Sequence, residues 1–325
     1  MCHGDDFIVV GSEKSVKAFG SILEDMFEVK LVGLIGFQQH LDKELRALNR
    51  LVRCNVEEDR MEVEADPRHV KLLLRDLSME KCKAVQLPRD KETDAGVEDK
   101  VLGAAEATLF RSCTMRLSYL AQDRVDLSES VKCLARFMAT PTVKAMDDLK
   151  RVARYVKSKP RRVLTYPRQS VHDARVTVHT DSDWAGDKGS RRSTTGMAVR
   201  RGKHLLRHSS TLQSVISLSS AEAEYYAMTK GAAAALGIRS LLDDWDLSCV
   251  IELYSDSSSA RAFAARRGIG KQRHIQTRFL WLQERVAARH LKVNKVGTHD
   301  NPADLFTKQL DRSKMARFEA ELGQV

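Results

Sequence analysis

Residues 176–186 read VTVHTDSDWAG. Valines alternate with polar side chains as far as Asp181, the period of a strand with one buried face. Ser182, Asp183 and Gly186 then supply turn chemistry. STTGMAVRR (193–201) and KHLLRHS (203–209) read as two further strands joined by an Arg-Gly-Lys turn. Residues 219–244 form one long helix packed with alanines. VIELYSD (250–256) is again a strand, with a short helix from Ser258 and another helix over 273–289. That helix carries Ile275, Phe279, Leu282 and Val286 on one stripe, with Arg273, Arg278, Arg285 and Arg289 largely off it. HLKVNKV (290–296) is the last strand, and Asn301-Pro302 opens the final helix. The order β-β-β-α-β-α-α-β-α predicts an α/β fold, a mixed sheet with helices against it.

Four acids stand where these elements begin or end. Asp181 closes the first strand and Asp256 closes VIELYSD. Asp183 competes with Asp181, but it falls where the strand gives way to the turn. Glu222 and Glu224 compete within SLSSAEAEYYAM (217–228). With Ser219 as N-cap, Glu222 sits at the third helical position of a capping box, which leaves Glu224 free. Asp304, in DNPADLFTK (300–308), also stands where a capping acid belongs. Taken singly, each reads as a turn or cap residue. Delivered together to one sheet rim, carboxylates supply the hard oxygen ligands of a two-cation phosphodiester-cleaving site.

The upstream half is organised differently. FIVV (7–10) is a short β-rich run, and Ser12 caps a helix through about Phe27 with Val16, Phe19, Ile22, Leu23 and Met26 on one face. Asp66-Pro67 opens a second helix carrying Val70, Leu73, Leu74 and Leu77. PRDKETDAGVEDKVLG (88–103) is polar, with two glycines, and residues 91–103 read as a linker. Residues 104–158 are a run of helices broken near Pro141. From Lys150 to Arg168 there are many basic residues and no acid, a solvated face or a phosphate-holding one.

A formal charge of +10 favours a polyanionic partner, nucleic acid before an anionic membrane. Charged residues at 30% and apolar ones at 42% describe a globular chain, not a disordered one. The six cysteines form no Cys/His cluster, which argues against a zinc site or a disulfide framework. No apolar stretch has membrane-spanning length, and the first residues lack the pattern of a signal peptide. These readings predict an intracellular protein, cytoplasmic or nuclear, with no membrane partner.

Several separate motifs resemble the ribonuclease H domain of copia-type retrotransposon Pol polyproteins. They are DSDWAGDKGSRRSTTG (181–196), LSSAEAEYYAM (218–228), LYSDSSSA (253–260), KQRHIQTRFLWLQERV (271–286) and NPADLFTKQL (301–310). The resemblance implies a ribonuclease H fold that cuts the RNA strand of an RNA–DNA hybrid with two Mg2+ ions, Mn2+ serving as a substitute. By motif position it makes Asp181, Glu224, Asp256 and Asp304 the catalytic, metal-holding acids. HGDDFIVVGS (3–12) resembles the aspartate hairpin of a reverse transcriptase palm, with His3 where relatives carry an aromatic residue and with Asp5 and Asp6 in place. LSYLAQDRVDLSESVKCLARFM (117–138) resembles the helical connection, with Val125 where relatives commonly have proline.

The implied organisation is a palm and thumb remnant (1–90), the linker, a helical connection (104–170), a ribonuclease H-like domain (171–312) and a tail (313–325). The remainder of a reverse transcriptase would be a further partner. In the family another metal-binding aspartate, the fingers and most of the palm precede the hairpin, so the chain alone is expected not to synthesise DNA. Arg191, Arg192, Ser193, Arg200, Arg201, Arg273 and Arg278 are the expected nucleic-acid contacts, with Ser193, Thr194 and Thr195 as candidates for the 2′-hydroxyls. An integrase-like or transposase-like nuclease and a non-catalytic binding remnant are the rival readings.

Overall fold

The computed structural model describes residues 2–89, 99–170, 173–270 and 273–325. In chain order the elements are β1 (Cys2–His3), β2 (Asp6–Phe7), α1 (Glu13–Met26), β3 (Glu44–Ala47), β4 (Arg50–Asn55), β5 (Arg60–Ala65), α2 (Arg68–Asp76), α3 (Ala104–Leu120), α4 (Ser128–Ala135), α5 (Val143–Ser158), β6 (Val163–Pro167), β7 (Arg175–Asp183), β8 (Thr194–Arg201), β9 (His204–Leu212), α6 (Ser220–Asp243), β10 (Val250–Ser255), α7 (Ser258–Ala265), α8 (Trp281–Ala287), β11 (Lys292–Lys295) and α9 (Arg312–Glu321).

The site-bearing sheet runs β11-β10-β7-β8-β9. β7, β8 and β9 pair antiparallel, whereas β10 lies parallel to β7 and β11 parallel to β10. This mixed sheet with flanking helices is the α/β arrangement that the element order predicts and the ribonuclease H-like one that the resemblance implies. Its two faces divide by the strand period. Val176 and Val178 of β7, Val199 of β8 and Leu253 of β10 join Tyr225, Met228, Ala232 and Ala235 of α6 in one core. Alternate residues, such as Ala198, join a second core with Leu305, Phe306 and the helices α3, α4 and α5. The alanines and Gly231 let α6 lie close. A Cβ at Gly231 would stand 2.5 Å from Thr180 Cγ2.

The second sheet, β3-β4-β5-β6, is antiparallel, and its last strand comes from beyond the helices. Residues 44–65 and 163–167 therefore share one sheet across the expected division between remnant and connection. The expected linker falls partly on residues 91–98, which lie outside the described residues. Its end is fastened: Leu102 N–H donates to Pro141 C=O at 2.9 Å and Val143 N–H to Lys100 C=O at 2.9 Å.

Several boundaries differ from the sequence reading. Residues 273–276 are not helical; a 3-10 turn (Thr277–Leu280) leads into the shorter α8. Asn301 caps a 3-10 turn (Pro302–Phe306) instead of a full helix. Residues 313–325, read as a tail, are largely helix α9, whose Met315, Phe318 and Leu322 enter the core.

Near the N-terminus, Ser12 accepts from Ser15 N–H at 3.2 Å and caps α1. The apolar face of that helix is not buried: Phe19, Ile22 and Met26 are all exposed. Much of the basic run is paired within the fold, although Arg161 and Arg168 keep most of their side chains exposed. Arg161 forks onto Glu64 at 2.8 and 2.7 Å, and Arg162 and Lys159 meet Glu319 at 2.6 and 3.3 Å. Arg168 meets Asp59, while Arg154 and Lys157 donate to main-chain carbonyls between residues 80 and 83.

Candidate active site

Asp181, Glu224 and Asp256 meet at one end of the mixed sheet. Each offers a carboxylate oxygen, and these three atoms lie within 4.8 Å of one another. β7 brings Asp181, the start of α6 brings Glu224, and the residue after β10 brings Asp256. The pairing of Tyr254 with His179 sets the two aspartate-bearing strands in parallel register.

β7 continues to Asp183, two residues beyond the expected strand end. Asp183 does not join this group of three. Its carboxylate accepts the Thr194 amide across the strand pair, so it is committed to the backbone. Glu222 does have the expected structural task. Ser219 Oγ accepts from its N–H at 3.2 Å, and its own carboxylate accepts from Leu218 N–H at 2.9 Å, from Tyr226 OH and from His274 Nε2 at 2.9 Å.

Glu224 is less satisfied. One oxygen accepts from Ser182 N–H at 3.1 Å, while the other, Oε2, is buried with no hydrogen-bond partner. A buried carboxylate oxygen in that state is costly unless something positive meets it. Facing two further carboxylates, the unpartnered oxygen fits a hard divalent cation. Burial, then Asp181 and Asp256, push the Glu224 carboxyl up to about 9. Burial also raises Asp181, with Lys308 opposing the shift and Asp304 and Asp256 adding to it.

A pH dependence follows. A carboxyl whose folded pKa is raised holds its proton longer in the folded chain than in the unfolded one, so its contribution to stability is lost as pH rises toward the folded value. Without divalent cation, melting temperature is expected to fall between pH 7 and 9 through Glu224. Millimolar Mg2+ should flatten that slope, because the ion takes the place of the proton. Thermal melts at both pH values, with cation and with chelator, measure it.

Asp304 approaches the same end from the 3-10 turn but does not join the group of three. Lys308 Nζ lies 2.8 Å from its Oδ1, and Lys314 Nζ 2.6 Å from its Oδ2. The same Lys308 ammonium lies 3.4 Å from Asp181 Oδ2, which also accepts from the Thr307 hydroxyl. Gly196, opposite Asp181 in the β7–β8 pair, permits this approach. A Cβ there would stand 2.7 Å from Ala303 C=O and 2.9 Å from Phe306 Cβ. G196A is therefore expected to cost about 1–3 kcal/mol in a urea unfolding curve by overpacking the turn against the sheet.

Gln213 is a buried hub that the sequence gives no sign of. Its Nε2 donates to Ala223 C=O at 2.9 Å and to Thr195 Oγ1 at 3.0 Å, and its Oε1 accepts from Ser217 Oγ at 3.0 Å. Trp184, 55% exposed, donates its indole N–H to Ser217 C=O at 3.1 Å beside the site.

The expected nucleic-acid contacts divide. Arg191, Arg192, Arg273 and Arg278 are exposed, with Arg278 within 3.3 Å of Ser214 Oγ. Arg200 and Arg201 lie toward the other end of β8, opposite Thr177 and Val176, and Arg200 pairs with Glu321. Ser193, Thr194 and Thr195 are buried and used internally, taking hydrogen bonds from Ala185 N–H, Lys132 and Gln213. Their buried hydroxyls are turned to packing rather than to a ligand. Asp5 and Asp6 are exposed around the tight β1–β2 hairpin, whose turn uses Gly4 at φ +58°. Among the described residues, no helix is long and apolar enough to cross a membrane.

No protein-family model matches the chain. It is 31% identical over 221 residues to the retrovirus-related Pol polyprotein from transposon RE1 of Arabidopsis thaliana, covering 67% of this chain and 15% of that one. The corresponding protein from transposon TNT 1-94 of Nicotiana tabacum is 26% identical over 97% of this chain and 23% of its own length. The N-terminal ribonuclease H domain of rv2228c from Mycobacterium tuberculosis, solved as a maltose-binding-protein fusion, superposes with a TM-score of 0.30 at 14% identity. That match covers 45% of this chain and 97% of the other. At that score the fold assignment rests on the strand order instead. The chain spans less than a quarter of the length of the two transposon relatives. Its matching stretches place it in their family: the chain belongs to the retrovirus-related Pol polyproteins of transposons.

Proposed function

We propose that this chain is the ribonuclease H part of a copia-type retrotransposon Pol polyprotein and hydrolyses the RNA strand of RNA–DNA hybrids endonucleolytically. Two divalent ions, Mg2+ with Mn2+ as substitute, are its cofactors. The observation that carries the reading is the trio of carboxylate oxygens within 4.8 Å at the rim of the mixed sheet. When bound, divalent ions make a coordinated water acidic enough to serve as nucleophile and neutralise charge on the scissile phosphate.

Asp181, Glu224 and Asp256 would hold the first ion, and Asp181 with Asp304 the second. Exposed Arg191, Arg192, Arg273 and Arg278 are the cations free to meet phosphates, which position a duplex without reading its sequence. Arg200 and much of the basic run 150–168 are paired with acids and carbonyls within the fold, which leaves less of their charge for phosphates.

Labelled RNA–DNA hybrid, duplex RNA and duplex DNA, each with Mg2+ and with chelator, test the reading. The expected result is internal cuts in the RNA strand of the hybrid only, abolished by chelator. Joining of DNA ends would instead favour an integrase-like or transposase-like enzyme. Hybrid binding with no cleavage would favour a non-catalytic remnant.

A further inference from the structure

Asp304 stands apart from the other three acids because two lysines already hold it. Lys314 alone would balance its charge, with Nζ at 2.6 Å from Oδ2. Lys308 therefore has a second purpose to account for. Its Nζ lies 2.8 Å from Asp304 Oδ1 and 3.4 Å from Asp181 Oδ2, so one ammonium bridges two carboxylates that are almost wholly buried. The lysine side chain itself is 45% exposed, which leaves its stem a path out to solvent. Of the four carboxylates at this rim, two are balanced by the two ammonium groups. With all four deprotonated, the two charges left over match one divalent cation. Glu224 Oε2, with no hydrogen-bond partner, marks the side on which it is missing, while Asp304 Oδ1, which also makes no hydrogen bond, faces the Lys308 ammonium at 2.8 Å.

We propose that Lys308 is a built-in counter-cation at the Asp181–Asp304 position. The Asp181–Glu224–Asp256 group takes the first divalent ion unaided, and a second enters only by displacing the Lys308 ammonium. Lys308 is on this account a positioning residue that sets the order and relative affinity of cation binding. The inference rests on the assignment of these acids as metal ligands, but it does not require that the protein cleave anything.

The physical basis is competition between like charges. An ammonium a few ångströms from a would-be ion site opposes the ion, and the partial solvent exposure of Lys308 weakens that opposition. A residual penalty of about tenfold in affinity is expected.

The test is titration of the full chain with Mn2+, reading free ion by electron paramagnetic resonance. Wild type should bind one Mn2+ and then a second at least about tenfold more weakly. In K308M and K308A the second dissociation constant should fall about tenfold, while K308R, which keeps the charge, should follow wild type. Two neutral variants are used so that a packing defect in one is recognised by the other, with circular dichroism as the check on folding. Neutral variants whose binding curves superimpose on wild type would overturn the proposal, as would equal affinities for two ions in wild type. If the titration behaves as expected and no substrate is cut, the nuclease reading fails while this inference stands.

Discussion

D181N is expected to lower hybrid cleavage by about a thousandfold or more, equivalent to roughly 4 kcal/mol of transition-state stabilisation. On the proposed reading Asp181 would serve both cation positions, since it lies in the group of three and also within 3.4 Å of Lys308 Nζ. The amide keeps the shape and the hydrogen bond from Thr307 but removes the charge. The same substitution should raise the melting temperature of the cation-free protein. Burial and neighbouring carboxylates make the ionised Asp181 costly, and its raised pKa records that cost. Loss of activity with a gain in stability is the signature of a binding group held under electrostatic strain. Hybrid affinity, read by fluorescence anisotropy, should change little. Cleavage at wild-type rates by D181N would remove Asp181 from the site.

The second large effect lies away from the site. Arg124 is buried and forks onto Asp126, with Nη2 to Oδ2 at 2.6 Å and Nε to Oδ1 at 3.2 Å. Asp126 also accepts from Tyr155 OH at 2.8 Å and Gln324 Nε2 at 2.7 Å, and Arg124 Nη1 donates to Lys159 C=O at 2.8 Å. This network ties the helices to the C-terminal segment, where Val125 N–H also donates to Gln324 Oε1 at 2.7 Å. R124M fills a similar volume but leaves Asp126 buried without its counter-charge. It is expected to cost about 3–5 kcal/mol in urea unfolding.

The effect should depend on pH with a definite sign. Although burial acts to raise it, Arg124 and the hydrogen bonds from Gln324 and Tyr155 hold the Asp126 carboxyl well below the ordinary range. A depressed carboxyl contributes stability above its unfolded pKa and loses it as pH falls. The gap between R124M and wild type should therefore narrow below about pH 4. A constant gap from pH 7 to pH 3 would contradict the role given to the pair.

The sequence carries the mixed sheet through local signals. Val176 and Val178 alternate with polar residues, Ser219 and Glu222 mark the start of α6, and Gly202 turns β8 into β9 with φ +55°. Those signals lie close to the three gathered acids: Asp181 and Asp256 sit within two residues of a strand end, and Glu224 follows four residues after the start of α6. What the sequence does not carry is long-range pairing. Arg161 and Arg162 look free until Glu64, 97 residues away, and Glu319, 157 residues away, claim them. β6 joins β5 across four helices, and Lys314 reaches Asp304 only once α9 has docked. One further element is legible in the sequence. Asp311 followed by Met315, Phe318 and Leu322 has the cap and spacing of an amphipathic helix. Ser193, Thr194 and Thr195 failed for the opposite reason, since a hydroxyl in a strand looks the same whether it faces a ligand or a buried glutamine.

The account turns on whether the rim of the mixed sheet holds a divalent ion. Crystals of the chain soaked in Mn2+ and measured for anomalous scattering would place it directly. The expected result is a peak within bonding distance of Asp181, Glu224 and Asp256, with Glu224 Oε2 among the ligands. A well-ordered rim with no anomalous peak at saturating Mn2+, or a peak bound elsewhere, would contradict it.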